Sequence, residues 1–543
     1  MFIIQALSLV GFLMCDIAAN GLKNDQSFFS IHNLNSRSSN QADEIYIDFN
    51  TSLHACDKKY LSLTIDSSEI MSKWKGFDFS SSKLRNMASA LSPANIRIGG
   101  TNADFLIFEP NGDELLPKSS SFYDSGYFDF KAFKAPEAPQ NFTMTGKQWD
   151  NMTSFFKWVR WDLMFDFNVF LRRDGVWDPV NAQTLLDYSA ARGIEIPAFQ
   201  LGNEPNAFLH NFNISILPPS LARDFIVLKQ LLSNYSQYRE SGLYGPDVTS
   251  MSTHSASADY FKQFLNSGAC SVVNAATFHQ YYKDGRKTSV DDFLNTTVMD
   301  SLKKSFEAGQ EVLKEISCPL ALALTETSSC YGGGAPGLSD RYVAGFLWLD
   351  KLGLAAQYGI TTVYRQTFFG GSYALVNNNL DPAPDFYLSV LYKRLAAGPV
   401  FHVSKQSEQL RVYAHCAIFH VSKQSEQLRV YAHCASNEQY PPGALVVYFM
   451  NIRNTTAVLS LSQFTGLDKD VFLLTPGDAD GLKSRFVKLN DELLLMSGSE
   501  LPPMLPTTIT GDVTVTAQSF GFIIVPAAKV SLCIGYHEKT TKS

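Results

Sequence analysis

The chain has no Cys-x-x-Cys pair and no cluster of Cys and His at metal-ligand spacing, so neither a structural zinc site nor a dithiol redox centre is written into it. The one Gly-x-Gly-x-x-Gly string, GGGAPG at 332–337, is set five residues past the LALTET run instead of joining it directly to a helix, so it does not make the dinucleotide-binding fingerprint. Basic residues are not in excess: 45 Lys and Arg face 52 Asp and Glu, a formal net charge of −7. That argues against a nucleic-acid partner, which needs a basic domain or stripe. Beyond the N-terminus no run approaches the ~20 apolar residues of a spanning helix, so no integral membrane segment is expected. Core material is plentiful. At 543 residues, 45% hydrophobic and 18% charged, disorder over most of the chain is excluded. The length predicts two or three domains, or one large barrel with an appendage.

The opening MFIIQALSLVGFLMCDIAANG is mostly apolar from Phe2 to Met14 and offers Ala18-Ala19-Asn20 for cleavage. Residues 1–20 read as a signal peptide, although no Lys or Arg precedes the apolar run. Seven Asn-x-Ser/Thr sequons agree with a secreted or lumenal glycoprotein: Asn50, Asn141, Asn151, Asn213, Asn234, Asn295 and Asn454. Without Cys15 the chain keeps an odd number of Cys: Cys56, Cys270, Cys318, Cys330, Cys416, Cys434 and Cys533. An internal repeat bears on that count. FHVSKQSEQLRVYAHCA at 401–417 recurs letter for letter at 419–435. The unit is one strand-like segment, too short for a solenoid repeat. A recent exon duplication or an error in the gene structure accounts for it. The error is slightly favoured, and one copy fewer leaves an even six Cys. A genuine extra strand has to loop out or lie on a sheet edge.

From Leu61 onward short apolar runs alternate with segments of helical period. The runs are LSLTID, NIRIGG, DLMFDFNVFL, IPAFQLGN, LYGPDV, ATFHQY, LALTET and TTVYRQTFF. NAQTLLDYSAARG precedes the fourth and YVAGFLWLDKLGLAAQYG the eighth. Eight such units over 61–398 predict an α/β fold, a (β/α)8 TIM barrel, over a doubly wound open sheet. Past Pro399 the texture becomes short strands with turns between, RVYAHCA, ALVVYFMN, DVFLLTP, RFVKLND, ELLLM and SFGFIIVP. This predicts a flanking C-terminal β-sandwich over 399–536. EIYIDFN, within an N-terminal segment 44–60, is expected to add a strand to it. Cys434 and Cys533, near its two ends, are the best candidate disulfide, stapling the last strand; Cys416 competes if the repeat is real. Residues 109–149, between the second and third barrel strands, read as a long insertion that caps the barrel mouth or is cut out.

Barrel chemistry sits where strands end. The fourth run ends in Leu201-Gly202-Asn203-Glu204-Pro205-Asn206 and the seventh in Thr325-Glu326-Thr327-Ser328-Ser329. Two carboxylates at one mouth are what glycosidic cleavage needs: one protonates the leaving oxygen while the other attacks the anomeric carbon or activates water. A separation of ~5–5.5 Å means a retaining mechanism. Glu204 then has to hold its proton near the working pH while Glu326 stays ionised. Asn203 is placed to meet a sugar hydroxyl beside the reacting centre. Asn-Glu-Pro alone is a weak motif; its coincidence with Glu326 and eight strands carries the reading.

SPANIRIGGTNADFLIFEP, LGNEPNAFL, LYGPDV, HQYYKDGR and, above all, TETSSCYGGGAPGLSDRYVAGFLWLDKLGLAAQYGIT are specific strings. DPAPDFYLSVLYKRL and LRVYAHC extend them. With these the chain resembles the heparanase-type endo-β-glucuronidases of glycoside hydrolase family 79, from about Ile45 to Cys533. The resemblance implies a barrel with a flanking sandwich and a retaining endoglycosidase acting on heparan sulfate at glucuronic acid. It implies Glu204 as acid/base and Glu326 as nucleophile. His279 and Tyr281 then line the cleavage site, and Tyr281 steadies the nucleophile. Gly332, Gly333 and Tyr373 contact the uronate carboxylate. Asp66, Thr101 and Asn203 contact sugar hydroxyls, and Arg286 a sulfate. It further implies a secreted protein of the extracellular matrix or lysosome, and a non-covalent heterodimer once the 109–149 linker is excised. No metal and no organic cofactor is implied.

The chain departs from that family in charge. After the linker it reads GKQWDNMTSFF, and after Gly-Pro-Asp-Val it reads TSMSTHSASADYFK, where family members carry basic clusters. Sulfated polyanions gain affinity from such cations by counterion release, so strong binding of highly sulfated heparan is in doubt. Two other readings stay open: a β-glucuronidase on another glycan, such as arabinogalactan or hyaluronan, and a non-hydrolytic glycan-binding protein. A positive mouth made by Lys283, Arg286 and Lys287 favours a sulfated substrate. Cys330, four residues past Glu326, pairs with Cys318 or is simply buried.

Overall fold

The computed structural model describes residues 42–112, 140–406 and 427–540. The signal-peptide reading, the middle of the linker at 113–139 and Cys416 lie outside the described residues.

Eight parallel strands close into a barrel in chain order: Leu61–Asp66, Ala94–Gly99, Trp161–Phe167, Ala198–Leu201, Gly242–Val248, Ala275–Gln280, Ala321–Thr327 and Val363–Arg365. They are referred to below as the first to eighth strands. The third pairs with the fourth (Ala198 opposite Met164) and the eighth with the first (Val363 opposite Leu61), leaving no edge. Strands covered by helices outside and by one another inside are largely apolar, hence the Leu, Ile and Phe runs, which a few inward-facing polar residues interrupt. Local chemistry sets the helix starts. The Thr145 hydroxyl accepts from Gln148 N–H, and the Gln148 side chain accepts from Thr145 N–H, a capping box that opens helix Gly146–Trp158. Asn295 Oδ1 caps helix Thr296–Glu315.

Two boundaries differ from the sequence pattern. The third run extends to Leu171 in sequence, but the strand stops at Phe167 because Asn168 Oδ1 accepts from Phe170 N–H at 2.9 Å and turns the chain. The linker's flanks are regular: Leu106–Glu109 pairs in parallel with Phe142–Thr145, so the chain leaves this two-stranded ribbon at Glu109 and re-enters it at the opposite end, at Phe142.

The C-terminal sheet shares its two faces between two cores. Its strands Ala396–Gln406, Leu428–Ala435, Leu445–Asn451, Ser519–Val525 and Asp468–Pro476 pair antiparallel in that spatial order. Asp43–Asp48 adds antiparallel to the first of these and parallel to Ala457–Ser460. Along Leu428–Ala435 the alternation is visible residue by residue. Val430, Ala432 and Cys434 face a core with Ile45, Ile47 and Val513. Tyr431 faces the barrel, where its hydroxyl donates to Asp350 at 2.7 Å. Helix Ala344–Gln357 lies between barrel and sheet and is buried all round except Gln357, which explains a segment with only two charges. The strands Ala396–Gln406 and Leu428–Ala435 draw on the start of the first repeat copy and the end of the second.

Cys434 bonds Cys533, 99 residues on, and Cys270 bonds Cys318. Cys533 belongs to a terminal helix, Ser531–Thr540, so the bridge staples that helix rather than a last strand. Cys330 is not paired with Cys318; it and Cys56 are buried thiols. Closing so long a loop predicts a loss of about 4–5 kcal/mol on replacing both Cys434 and Cys533 by Ala. Denaturant titration checks this, and an unchanged midpoint contradicts it.

Candidate active site

The barrel interior is charged at its centre. Arg97 projects inward from the second strand with 1% of its surface exposed. Its Nε donates to Gln200 Oε1 at 2.6 Å, Nη1 to Glu326 Oε2 at 2.9 Å, and Nη2 to Asn203 Oδ1 and Asp247 Oδ2, both at 2.9 Å. Asp166 stands 3.7 Å from the same nitrogen. One guanidinium thus links the second, third, fourth, fifth and seventh strands, and its planar fork suits several acceptors at once. Burial pushes the Asp166 carboxyl up to about 7, against the pull of Arg97 and with the push of Asp247.

Glu204 follows the fourth strand in a left-handed conformation, φ 53°, which is rare outside glycine. Its backbone N–H donates to Asp247 O at 3.1 Å, and Asn203 N–H donates to the buried Asp104 carboxylate at 3.3 Å. These bonds hold the turn that aims Glu204 across the mouth. Glu326 lies on the seventh strand, where its Oε1 accepts from the Tyr281 hydroxyl at 2.7 Å. Behind it, the buried Lys351 ammonium donates to Gln280 Oε1 at 2.7 Å and to Ser328 O at 2.8 Å, tying together the ends of the sixth and seventh strands.

His279 joins the two glutamates. Its Nδ1 is 3.0 Å from Glu204 Oε1 and 4.0 Å from Glu326 Oε1, and its Nε2 is 3.2 Å from Asp247 Oδ2. One ligand atom each from Glu204, His279 and Glu326 lies within 4.8 Å of the others. Such a triad has the reach to hold a cation, and its members are hydrogen-bonded, His279 to Glu204 and Glu326 to Arg97 and Tyr281. Burial disfavours the imidazolium, yet Glu326, Asp247 and the hydrogen bonds to Asp247 and Glu204 hold its pKa up at about 10.

That pKa has a stability consequence. The proton on His279 binds more tightly in the folded chain than in the unfolded one, where imidazole titrates near 6.5. The stabilisation is complete below pH 6.5 and is lost as pH rises through about 10. Denaturant midpoints are expected to fall across that window, and the fall should be clearly smaller in His279→Gln. Equal pH slopes for the two proteins contradict the charged state.

The remaining sequence-derived residues fall into a connected wall and a rim. Tyr281 stacks on Tyr373, ring centroids 6.3 Å apart. Gln366 Nε2 reaches both the Tyr373 hydroxyl at 3.3 Å and Asp66 Oδ2 at 3.4 Å. Burial raises the Asp66 pKa, against its hydrogen bonds from Ser68. Thr101 opens a 3-10 turn beyond the second strand with its side chain exposed. Gly332 and Gly333 have φ of 79° and 81° with open space where a side chain would stand, and Gly333 O accepts from Ser372 N–H beside Tyr373. Gly285 presses against this loop so closely that a Cβ would lie 2.2 Å from Gly334 O. Arg286 stands on the rim with its fork on its neighbour: Nε and Nη2 donate to the two Asp284 oxygens at 2.8 and 2.7 Å. Lys283 is paired with Asp292. All seven sequon asparagines are exposed.

Sequence reasoning missed Arg97, Asp166, Gln200 and Asp247. A signal was present: each polar residue interrupts a run that otherwise reads as buried on both faces (NIRIGG, LMFDF, AFQL, YGPDV), and buried charges require partners.

The profile of Glycosyl hydrolase family 79, N-terminal domain, matches residues 54–353. The chain is 34% identical to Heparanase of Mus musculus over 529 residues, covering 91% of this chain and 95% of that protein. It is 30% identical to Hyaluronoglucuronidase of Hirudo nipponia, covering 85% and 92%. It is also 30% identical to Inactive heparanase-2 of Mus musculus, covering 90% and 89%. Among solved structures, the 4-O-α-L-rhamnosyl-β-D-glucuronidase of Fusarium oxysporum superposes with a TM-score of 0.62 at 14% identity, over 88% of this chain and 99% of that one, a likeness of fold. A profile match over more than half its length and relatives at this identity show that the chain belongs to glycosyl hydrolase family 79.

Proposed function

We propose that this protein is a retaining endo-β-glucuronidase acting on heparan sulfate-type chains of low sulfation, with Glu204 as acid/base and Glu326 as nucleophile. The observation that carries the reading is that an oxygen of Glu204 and an oxygen of Glu326 lie within 4.8 Å of each other, which suits the close carboxyl pair of a retaining enzyme and not the ~6.5–9.5 Å of an inverting one. Glu204 gives its proton to the glycosidic oxygen as that bond breaks, and a Glu326 oxygen bonds to the anomeric carbon. Water then attacks that carbon, giving its proton to Glu204 and releasing Glu326. Arg97 and Tyr281 aim Glu326 from two directions, while imidazolium His279 orients Glu204. Asp66, Thr101 and Asn203 meet sugar hydroxyls, and Gly332, Gly333 and Tyr373 meet the uronate carboxylate.

Low sulfation follows from the rim. Lys283 and Arg286, two of the three cations expected at the mouth with Lys287, are each engaged with a carboxylate, and the two flanking segments lack basic clusters. The same observation favours a second reading, an unsulfated glucuronan such as hyaluronan, the substrate class named for the Hirudo nipponia relative. Entry into the secretory pathway is supported by the relatives and the two disulfides. No helix of the described residues is long and apolar enough to cross a membrane. If the linker is excised, strand pairing of Leu106–Glu109 with Phe142–Thr145 helps to hold the two chains together as a non-covalent heterodimer.

Chain-length analysis after incubation at mildly acid pH tests the substrate. Heparan sulfate, its desulfated N-acetylated form and hyaluronan are compared. The expected order is desulfated heparan cut best and highly sulfated chains worst. Preference for the most sulfated chains contradicts the charge argument, and cleavage of hyaluronan alone selects the second reading.

A further inference from the structure

Helix Gly146–Trp158 presents a face of mixed chemistry, with Asn151, Ser154 and Trp158 exposed and Phe155 buried at its base. Asn151, Ser154, Phe155 and Trp158 stand at i, i+3, i+4 and i+7, on one helix face. All four line a groove of about 690 Å³, to which Trp74 and Arg85 also contribute. Trp158 is 55% exposed, whereas Trp74, Trp149, Trp161, Trp177 and Trp348 are all buried. The Arg85 guanidinium lies 5.2 Å from the Trp158 ring centroid, and its Nε donates to Phe79 O at 3.0 Å, which fixes it beside that ring. An exposed indole with an oriented guanidinium at its face is a platform waiting for a ligand with an apolar face and polar edges.

We infer that the ligand is covalent: the groove seats an N-linked glycan carried by Asn151, its inner N-acetylglucosamine residues running along that face onto Trp158. Asn151-Met152-Thr153 is a sequon, and among the seven sequon asparagines Asn151 is the one that lines this groove. At 1.5 Å per residue Trp158 stands about 10 Å farther along the axis. Helical side chains lean towards the N-terminus, so the indole tilts back towards Asn151. That span suits a disaccharide. The C–H face of a sugar ring rests on the indole, while Ser154, Arg85 and Lys147, which also lines the groove, meet hydroxyl and acetamido oxygens. The inference rests on passage through the secretory pathway and is independent of the catalytic reading.

The test uses the full chain secreted from eukaryotic cells. Glycopeptide mass spectrometry reports occupancy at each sequon. Release by peptide:N-glycosidase is then followed site by site on native and on denatured protein. Asn151 is expected to be occupied and released about tenfold more slowly than Asn234 or Asn454 in the native protein, with the difference gone after denaturation. Trp158→Ala, an exposed position, should bring the native rate at Asn151 up to that of the others. A bare Asn151 beside other occupied sequons overturns the inference, as does release as fast as elsewhere or insensitive to Trp158→Ala. If no sequon carries sugar, the secretory reading fails along with it.

Discussion

Replacing Arg97 by Met is expected to cost about 3–5 kcal/mol of stability, the scale found when one member of a buried ion network is deleted. The reason is what remains. Asp247 and Glu326, each 2.9 Å from the guanidinium, and Asp166 at 3.7 Å would share the barrel centre with His279 as their remaining neighbouring cation. Leu or Met fills the volume without supplying the charge. Arg97→Lys separates charge from geometry: an ammonium restores one positive charge but cannot reach Gln200, Asn203, Asp247 and Glu326 together. It should recover part of the stability while kcat stays down by about 10²-fold or more, because Glu326 is no longer aimed. Urea titration and steady-state kinetics on the two variants decide the matter. A midpoint for Arg97→Met within experimental error of the parent contradicts the account of the core.

Glu326→Ala should keep the native fold at some cost in stability, because Arg97 retains Asp247 as a partner, and abolish turnover, by on the order of 10⁴-fold or more, as when a covalent nucleophile is removed from a hydrolase. Its side chain is held by Arg97 and Tyr281 at the mouth, and the residues proposed to meet the sugar hydroxyls and the uronate carboxylate are left in place, so glycan binding should persist. Azide supplies a diagnostic rescue. It is small enough for the space left by the carboxylate and attacks the anomeric carbon from the same face, giving an α-glycosyl azide while Glu204 still protonates the leaving oxygen. Residual hydrolysis near the parent rate removes Glu326 from the nucleophile role. The existence of Inactive heparanase-2 at 30% identity makes this measurement necessary for any member of the family.

Much of this architecture is legible in the sequence. The eight strand runs can be counted because parallel strands buried on both faces are largely apolar, and helical segments separate them. Glu204 and Glu326 stand out because each follows such a run at its C-terminal end. Arg97 does not, since its hydrogen-bond partners lie 103 to 229 positions away and only closure of the barrel brings them together. Asp284 is different: it sits two residues before Arg286, yet sequence alone does not say that it occupies the fork. The terminal helix Ser531–Thr540 has almost no amphipathic pattern, and Cys533 rather than an apolar stripe anchors it. The repeat shows the limit of pattern reading in another way. Two identical copies predict identical strands, but the antiparallel pair in the sheet takes one strand from each.

The central claim is that two carboxylates this close cleave by double displacement. The most direct measurement is the anomeric configuration of the first-formed product, read by proton NMR in the minutes before mutarotation, on a desulfated heparan oligosaccharide. Retention, with the new reducing-end glucuronic acid appearing first as the β-anomer, is the predicted result. An α-anomer at the earliest times would mean that water, not Glu326, attacks the substrate, and would contradict the account.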